Sequence, residues 1–411
     1  MKRRSTESTT RHCTQWLRLT VFVSIAVALT GCGSIVPGAP QPGATKVDID
    51  TLRTGPFQRE PVPFALKAGL NEPEQVRLVE ARRLLNYLIQ PLDIDPELHV
   101  PGKAAVFASE TGMPVIQGIQ LQHQRVIKDN VKFIAGVATH QTNGSIRNPR
   151  RLSIAVFQFE SEAESARAAK ELNQISIESS PRENINIPGI ANAHASIAQD
   201  QLDSWQSHGP YVVSVSILTT QVGVDESVTL TQKALTAENH ALDRHKPIPL
   251  DDVLDQPLDG ENIVRRTSVP DTRDSFVQIN DFGVYQPSGI LHFQRYPSEA
   301  RQVFTDTGVD LIGRRASTVY RARDLAAAFK LQTFLAKQGK NDTNLDPPLG
   351  VADAQCVRFD NEDDRGHNSM CTVVYGRYVA VVTAKSIGYG QFDSDLQERA
   401  AAQYYTLQKC E

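Results

Sequence analysis

The sequence predicts an α+β fold of two similar modules, each an antiparallel-rich sheet with helices on one face. Three observations carry that expectation. Strand-like apolar runs alternate with helices that start on an acid or a Ser-x-x-Glu box, strands come in pairs around polar turns, and the same order of elements occurs twice. With 40% hydrophobic and 22% charged residues the composition is globular, and 411 residues leave room for two or three domains. The formal charge of −4 lacks the basic excess that neutralises phosphates, so no nucleic-acid partner is expected.

The first element is an export signal, over residues 1–31. Lys2, Arg3 and Arg4 precede the apolar run 19–29 (LTVFVSIAVAL), which as a helix reaches only about 16 Å, roughly half a hydrocarbon core. Leu29-Thr30-Gly31-Cys32 follows at once and resembles a bacterial lipobox, in which small residues admit the peptidase and the cysteine thiol takes the lipid, palmitate among its acyl chains. Cys32 is therefore the expected lipid attachment site. Residues 32–46, rich in Gly and Pro, form a flexible tether. Without residues 1–31 the chain holds 38 basic against 46 acidic residues, net −8, so acyl chains rather than charge must hold it to a membrane.

The first module is expected over residues 47–242. Residues 73–88 (PEQVRLVEARRLLNYL) read as a helix with Pro73 in the first turn and Val76, Val79, Leu84 and Leu88 on one stripe. Residues 131–139 and 151–159 read as strands. Ser161 and Glu164 box the start of an Ala-rich helix over 162–175. Residues 194–202 and 211–218 read as a hairpin turning at 204–210, and Asp225 starts a helix to Leu242. Residues 243–272, Pro-rich and acidic, read as a linker.

The second module, over residues 273–411, repeats this order. Residues 309–320 suggest strands, Asp324 caps a helix to Lys337, residues 354–359 and 372–384 form a hairpin, and Asp393 starts a last helix through Leu407. SEAESARAAKEL matches RDLAAAFKLQTFL, and GPYVVSVSIL matches YGRYVAVVTA, in pattern if not in identity; this reads as a duplication.

Cys13 leaves with the signal and Cys32 with the lipid, so Cys356, Cys371 and Cys410 remain in an oxidising compartment. Cys356 and Cys371 lie in strand-like runs joined by the polar loop 360–370, which makes them the favoured disulfide; Cys410 is either free or a competing partner. No C-x-x-C exists to support a redox or zinc role.

VDIDTLRTGPF (47–57), EARRLLNYLIQPLDIDPEL (80–98), FIAGVAT (133–139) and GVYQPSGILHFQ (283–294) together resemble an actinobacterial, mycobacterial-type cell-envelope lipoprotein family of unknown function. The resemblance implies a lipid-anchored envelope protein. It brings no catalytic residues.

Motifs for chemistry are missing. The chain has no Walker A, G-x-G-x-x-G, G-x-S-x-G or H-E-x-x-H sequence, and the histidines never fall at i, i+4. His292 reads as a structural strand residue, Trp205 as a packing lid at a hairpin turn. Asp360, Glu362, Asp363 and Asp364 read as a solvated hairpin tip, because Arg365 and Cys371 stand where a calcium loop needs Gly and a carboxylate. Asp251, Asp252, Asp255, Asp259 and Glu261 read as a solvated linker. No catalytic residue, metal or cofactor is indicated. The expected role is non-catalytic binding of a lipid, glycan or protein partner, outside the cytoplasm, in a groove between the modules; the alternative is an envelope hydrolase with a non-motif active site.

Overall fold

The computed structural model describes residues 43–65, 72–130, 132–220, 223–253, 255–271, 279–363, 365–386, 390 and 392–411. The expected signal segment, Cys32, most of the expected tether and Asp364 lie outside them. The first seven strands are β1 (Val100–Phe107), β2 (Phe133–Thr142), β3 (Arg150–Phe159), β4 (Glu183–Ile185), β5 (Ala193–Ala198), β6 (Gln201–His208) and β7 (Tyr211–Thr219). The second seven are β8 (Gly283–Tyr285), β9 (Leu311–Arg314), β10 (Ser317–Arg321), β11 (Thr343–Leu345), β12 (Gln355–Arg358), β13 (Ser369–Tyr375) and β14 (Tyr378–Ala384). Each set forms one antiparallel sheet, ordered β1-β2-β3-β7-β6-β5-β4 and β8-β9-β10-β14-β13-β12-β11. The two orders are the same permutation, with one helix after the third strand and one after the seventh. The chain is two copies of one topology.

The helices pack on both faces of each sheet, a correction to the single helical face expected. Trp205 and Gln206 are neighbours in β6 and point to opposite sides. Trp205 Nε1 donates to Ser176 on helix Glu162–Ser179, and Gln206 Oε1 accepts from Asn239 on helix Val224–Leu242. The second sheet repeats this. Val319 and Ala380 pack with Leu396 and Ala400 of helix Ser394–Lys409, whereas Tyr320 and Val379 share a core with Leu331 of helix Leu325–Leu335. Cover on both faces explains why β3 reads as one nearly unbroken apolar run, with Ile154 and Val156 turned one way and Ala155 and Phe157 the other, all buried.

One core spans both modules. It joins Ile154, Val213 and Val215 of the first sheet, through Leu84 and Leu85 of helix Glu72–Leu85, to Tyr320 of the second sheet and to Phe304 and Leu331 on helices Pro297–Thr307 and Leu325–Leu335. Helix Val224–Leu242 faces this shared core in the first module, but its counterpart Ser394–Lys409 lies on the outer face of the second. The modules therefore stack head to tail, not as a symmetric pair.

Local turns differ from the sequence reading in three places. Residues 201–208 are a strand, so Trp205 is a fully buried mid-strand residue and not a lid. Residues 372–384 hold two strands joined at Gly376, whose φ of +55° suits the turn. The expected linker is partly core: Ile263 and Val264 are buried and Gln403 holds the Arg266 carbonyl and the Ser268 amide. Residues 45–64 do not join the first module. Thr45 hydrogen-bonds Asp353, Leu52 is buried in the second module's outer core, and the Arg59 carbonyl accepts from Thr406. They form a strap across the module that follows last in sequence. Cys356 and Cys371 oppose each other across β12 and β13 and form a disulfide in that outer core; Cys410 is free.

Candidate functional site

Helix Leu325–Leu335 covers only part of the second sheet's inner face. Beyond its end, Thr318 and Tyr320 on β10, Val381 and Thr383 on β14 and Met370 on β13 line a cleft of about 1030 Å³. The opposite wall is the edge strand β1 at residues 100–103, with His140 behind it on β2. Residues 292–299 line the cleft too, with Phe359, Asn361, Glu362, Asp363 and Arg365. The cleft thus lies between the modules, where one sheet's edge meets the other's face.

Its walls are aromatic, with cations laid on them. Arg295 lies 4.8 Å over Phe359 and 5.4 Å over Tyr296, Lys337 lies 4.7 Å over Tyr296, and Arg314 lies 4.2 Å over Phe293. Arg295 pairs with Asp342, and Lys337 pairs with Glu299 at 2.6 Å. Tyr320 Oη accepts from Gln294 at 3.0 Å. These contacts hold the rings in place and put positive charge over their faces.

Three imidazoles line this space: exposed His99, half-buried His140 and buried His292. His292, expected in a strand, sits instead in the 3-10 turn Leu291–Phe293, buried, with Nε2 3.0 Å from the Leu88 carbonyl. Burial lowers its pKa to about 4, against the pull of that carbonyl. His140 is also lowered, chiefly by burial and then by Arg151. Nδ1 of His140 and of His292 is buried, without a hydrogen-bond partner among the described residues, and so does not open onto the cleft; the Lys103 backbone meets the His140 ring.

Of the other residues singled out in sequence, Glu362 and Asp363 also line the cleft, and the remaining ones do not. His123 bonds Gln120 N, the Leu172 carbonyl and Ser176, beside Trp205. His245 Nδ1 meets Tyr211 Oη at 2.6 Å, with Nε2 3.5 Å from Glu80. His367 Nδ1 is 2.7 Å from Thr383 Oγ1 and 3.9 Å from Asp363 Oδ2. Hydroxyl and carboxylate meet the same ring nitrogen, an arrangement that orients the imidazole; a relay needs them on opposite nitrogens. Asp363 also accepts from the amides of Arg365 and His367, and Glu362 pairs with Lys385 at 3.0 Å, so this tip is ordered by its acids. In the linker, Asp251, Asp252 and Asp255 are exposed, but Asp259 accepts from the amides of Val264 and Arg265, and Glu261 pairs with Arg321 at 2.5 Å. Among the described residues no group of three or more His, Cys, Asp or Glu is arranged to hold a metal.

Two family models cover residues 68–258 and 263–409; they are the N-terminal and C-terminal parts of DUF7373, a domain of unknown function. The chain belongs to the DUF7373 family. The break between the two DUF7373 parts falls in the segment that joins the two sheets, and the strap lies before both. A crystal structure of the extracellular domain of PknH from Mycobacterium tuberculosis is similar over 39% of this DUF7373 chain and 96% of that chain, at 12% identity and a TM-score of 0.29. No curated protein matches. Among the described residues no helix is long and apolar enough to cross a membrane.

Proposed function

We propose that the protein is a lipid-anchored, extracytoplasmic binding protein of the actinobacterial envelope, held by acyl chains on Cys32, whose ligand occupies the cleft between the modules. The observation that carries the reading is the cleft itself: about 1030 Å³, at the upper end of the range for ligand pockets (roughly 300–1,000 Å³), lined by aromatic side chains together with charged ones, among them Lys103, Arg295, Lys337 and Asp363. Binding asks for no more than this. The Cys356–Cys371 disulfide agrees with an oxidising compartment.

Mass spectrometry on protein extracted from its native envelope tests both parts. An acylated N-terminal peptide starting at Cys32, and a co-purifying ligand lost on Phe334→Asp in the cleft, are the expected results. A retained 1–31 segment without acyl mass would reject the anchor. Turnover of an ester, amide or glycan that one cleft substitution abolishes would replace binding with hydrolysis.

A further inference from the structure

We propose that the cleft takes an amphiphile, an acyl chain carrying one anionic head group, with the chain on Phe334, Leu335, Met370 and Val381 and the head at Lys103. This rests on the cleft-binding reading above and adds the class of ligand.

The first observation is which apolar surface is still open. Phe293, Tyr296 and Phe359 already carry Arg314, Arg295 and Lys337 over their faces. Phe334 and Leu335, at the end of helix Leu325–Leu335, and Val381 on β14 pack on the shared core yet stay half-exposed, and Met370 on β13 packs with Val381. All four line the cleft. Together they leave a recessed surface without side-chain donors or acceptors, which suits a hydrocarbon chain.

Charge is the second observation. Each carboxylate on the cleft is answered: Glu299 by Lys337 at 2.6 Å, Glu362 by Lys385 at 3.0 Å, and Asp363 by the amides of Arg365 and His367. Of the other cations that line it, Arg295 pairs with Asp342, and Arg314 and Arg365 both reach Asp281 at 3.3 Å. Lys103 is left over, exposed on the edge strand β1 with no ion pair among the described residues. A guest that completes the pairing brings a negative charge to it.

Ligand classes then separate. A free inorganic anion would meet one solvent-screened ammonium and leave the apolar surface wet. A saccharide needs open ring faces, and its hydroxyls over Phe334, Leu335, Met370 and Val381 would lose water without gaining a partner. An extended peptide could add to β1, but Pro101 and a register shift between Pro101 and Ala104 break the ladder it would extend. An acyl chain with an anionic head uses both the apolar surface and Lys103.

The test uses the full chain in phosphatidylcholine nanodiscs, photolabelled with hexadecanoic acid bearing a diazirine in its chain or with the methyl ester of that acid. The acid should label peptides holding Phe334, Leu335 or Met370 at least about fivefold more than the ester, which keeps the chain and loses the charge. Lys103→Met should bring acid labelling down to the level of the ester, and Lys103→Arg should restore it. Because Lys103 is exposed and its removal leaves the core intact, Lys103→Met is the deciding variant. Palmitate or lysophosphatidate should displace the label, and the stronger competitor identifies the head as carboxylate or phosphate. Equal labelling by acid and ester, label confined to residues outside the cleft, a preference that survives Lys103→Met, or displacement by inorganic phosphate alone overturns the inference. If the cleft stays unlabelled while a native ligand co-purifies and is lost on Phe334→Asp, the cleft remains a binding site and the amphiphile is rejected. If the cleft stays unlabelled and no ligand co-purifies, the binding reading falls as well.

Discussion

Four buried titratable side chains set the acid and alkaline limits of this fold. His123, His245 and His292 are each lowered from 6.5 to about 4, in every case mainly by burial. Below pH 6.5 the unfolded chain takes up protons that these rings refuse, so their stabilisation, complete above 6.5, is lost as pH falls toward 4. Glu238 runs the other way. It is fully buried on helix Val224–Leu242, accepts from Ile89 N at 3.0 Å through one oxygen, and burial raises it from 4.5 to about 8. Its folded form stays neutral while the unfolded carboxyl ionises, so its contribution is whole below pH 4.5 and lost as pH rises through 8. Three histidines outweigh one carboxyl between 4.5 and 6.5, and the carboxyl acts alone above. Urea midpoints measured from pH 4 to 9 should peak near 6.5, and Glu238→Gln should hold them level from 6.5 to 8; an unchanged decline in the variant would show that Glu238 is not its source. These polar residues also mark the limit of sequence reading. Ser204, Gln206 and Ser207 made a strand look like a turn; the buried Gln206 amide is satisfied there by partners far along the chain, Ala191 and Asn239, which no local pattern announces. His140 and His292 likewise meet at one cleft from opposite modules, a juxtaposition that leaves no local spacing to read.

Elements were far more legible, because their signals are local. Ser161 accepts from Glu164 N, Asp324 from Ala327 N and Asp393 from Leu396 N, each at the helix start its side chain announces. The repeated order showed for the same reason, since a module that folds by one topology must place strands, caps and turns at matching intervals. The number of helical faces did not show, because an amphipathic stripe says that a helix packs and not on which side of the sheet. The disulfide is a property of the β12–β13 pair. It closes a loop 15 residues apart in sequence, and chain entropy assigns it about 3 kcal/mol. Reducing agent, or Cys371→Ala with Cys356→Ala, should lower unfolding free energy in urea by about that amount, and somewhat more for the alanines because both side chains are buried. Equal midpoints with and without reductant would show the bridge to be idle.

At the scale of the whole molecule, head-to-tail stacking gives the two modules unlike surroundings. The first module's inner face and the second module's inner sheet share one core, while the second module's outer face is completed by the strap, where Val47, Ile49, Leu52 and Phe64 pack with Leu396 and Tyr404. Removing residues 45–64 should therefore destabilise the second module, although the strap stands before the first in sequence. Hydrogen exchange should show early opening of helix Ser394–Lys409 and protected β2, β3 and β7; uniform loss of protection would mean that the strap has no preferred seat. The strap also sets an order of events during synthesis. Residues 45–64 emerge long before the helix that receives them, with Arg59 and Thr406 separated by 347 positions. A chain interrupted before residue 394 has an apolar strap with nowhere to bind and an outer sheet face left bare, so incomplete products carry a visible mark for proteolysis. Completion of the last helix hides both at once, and the finished chain alone conceals the evidence of its own assembly.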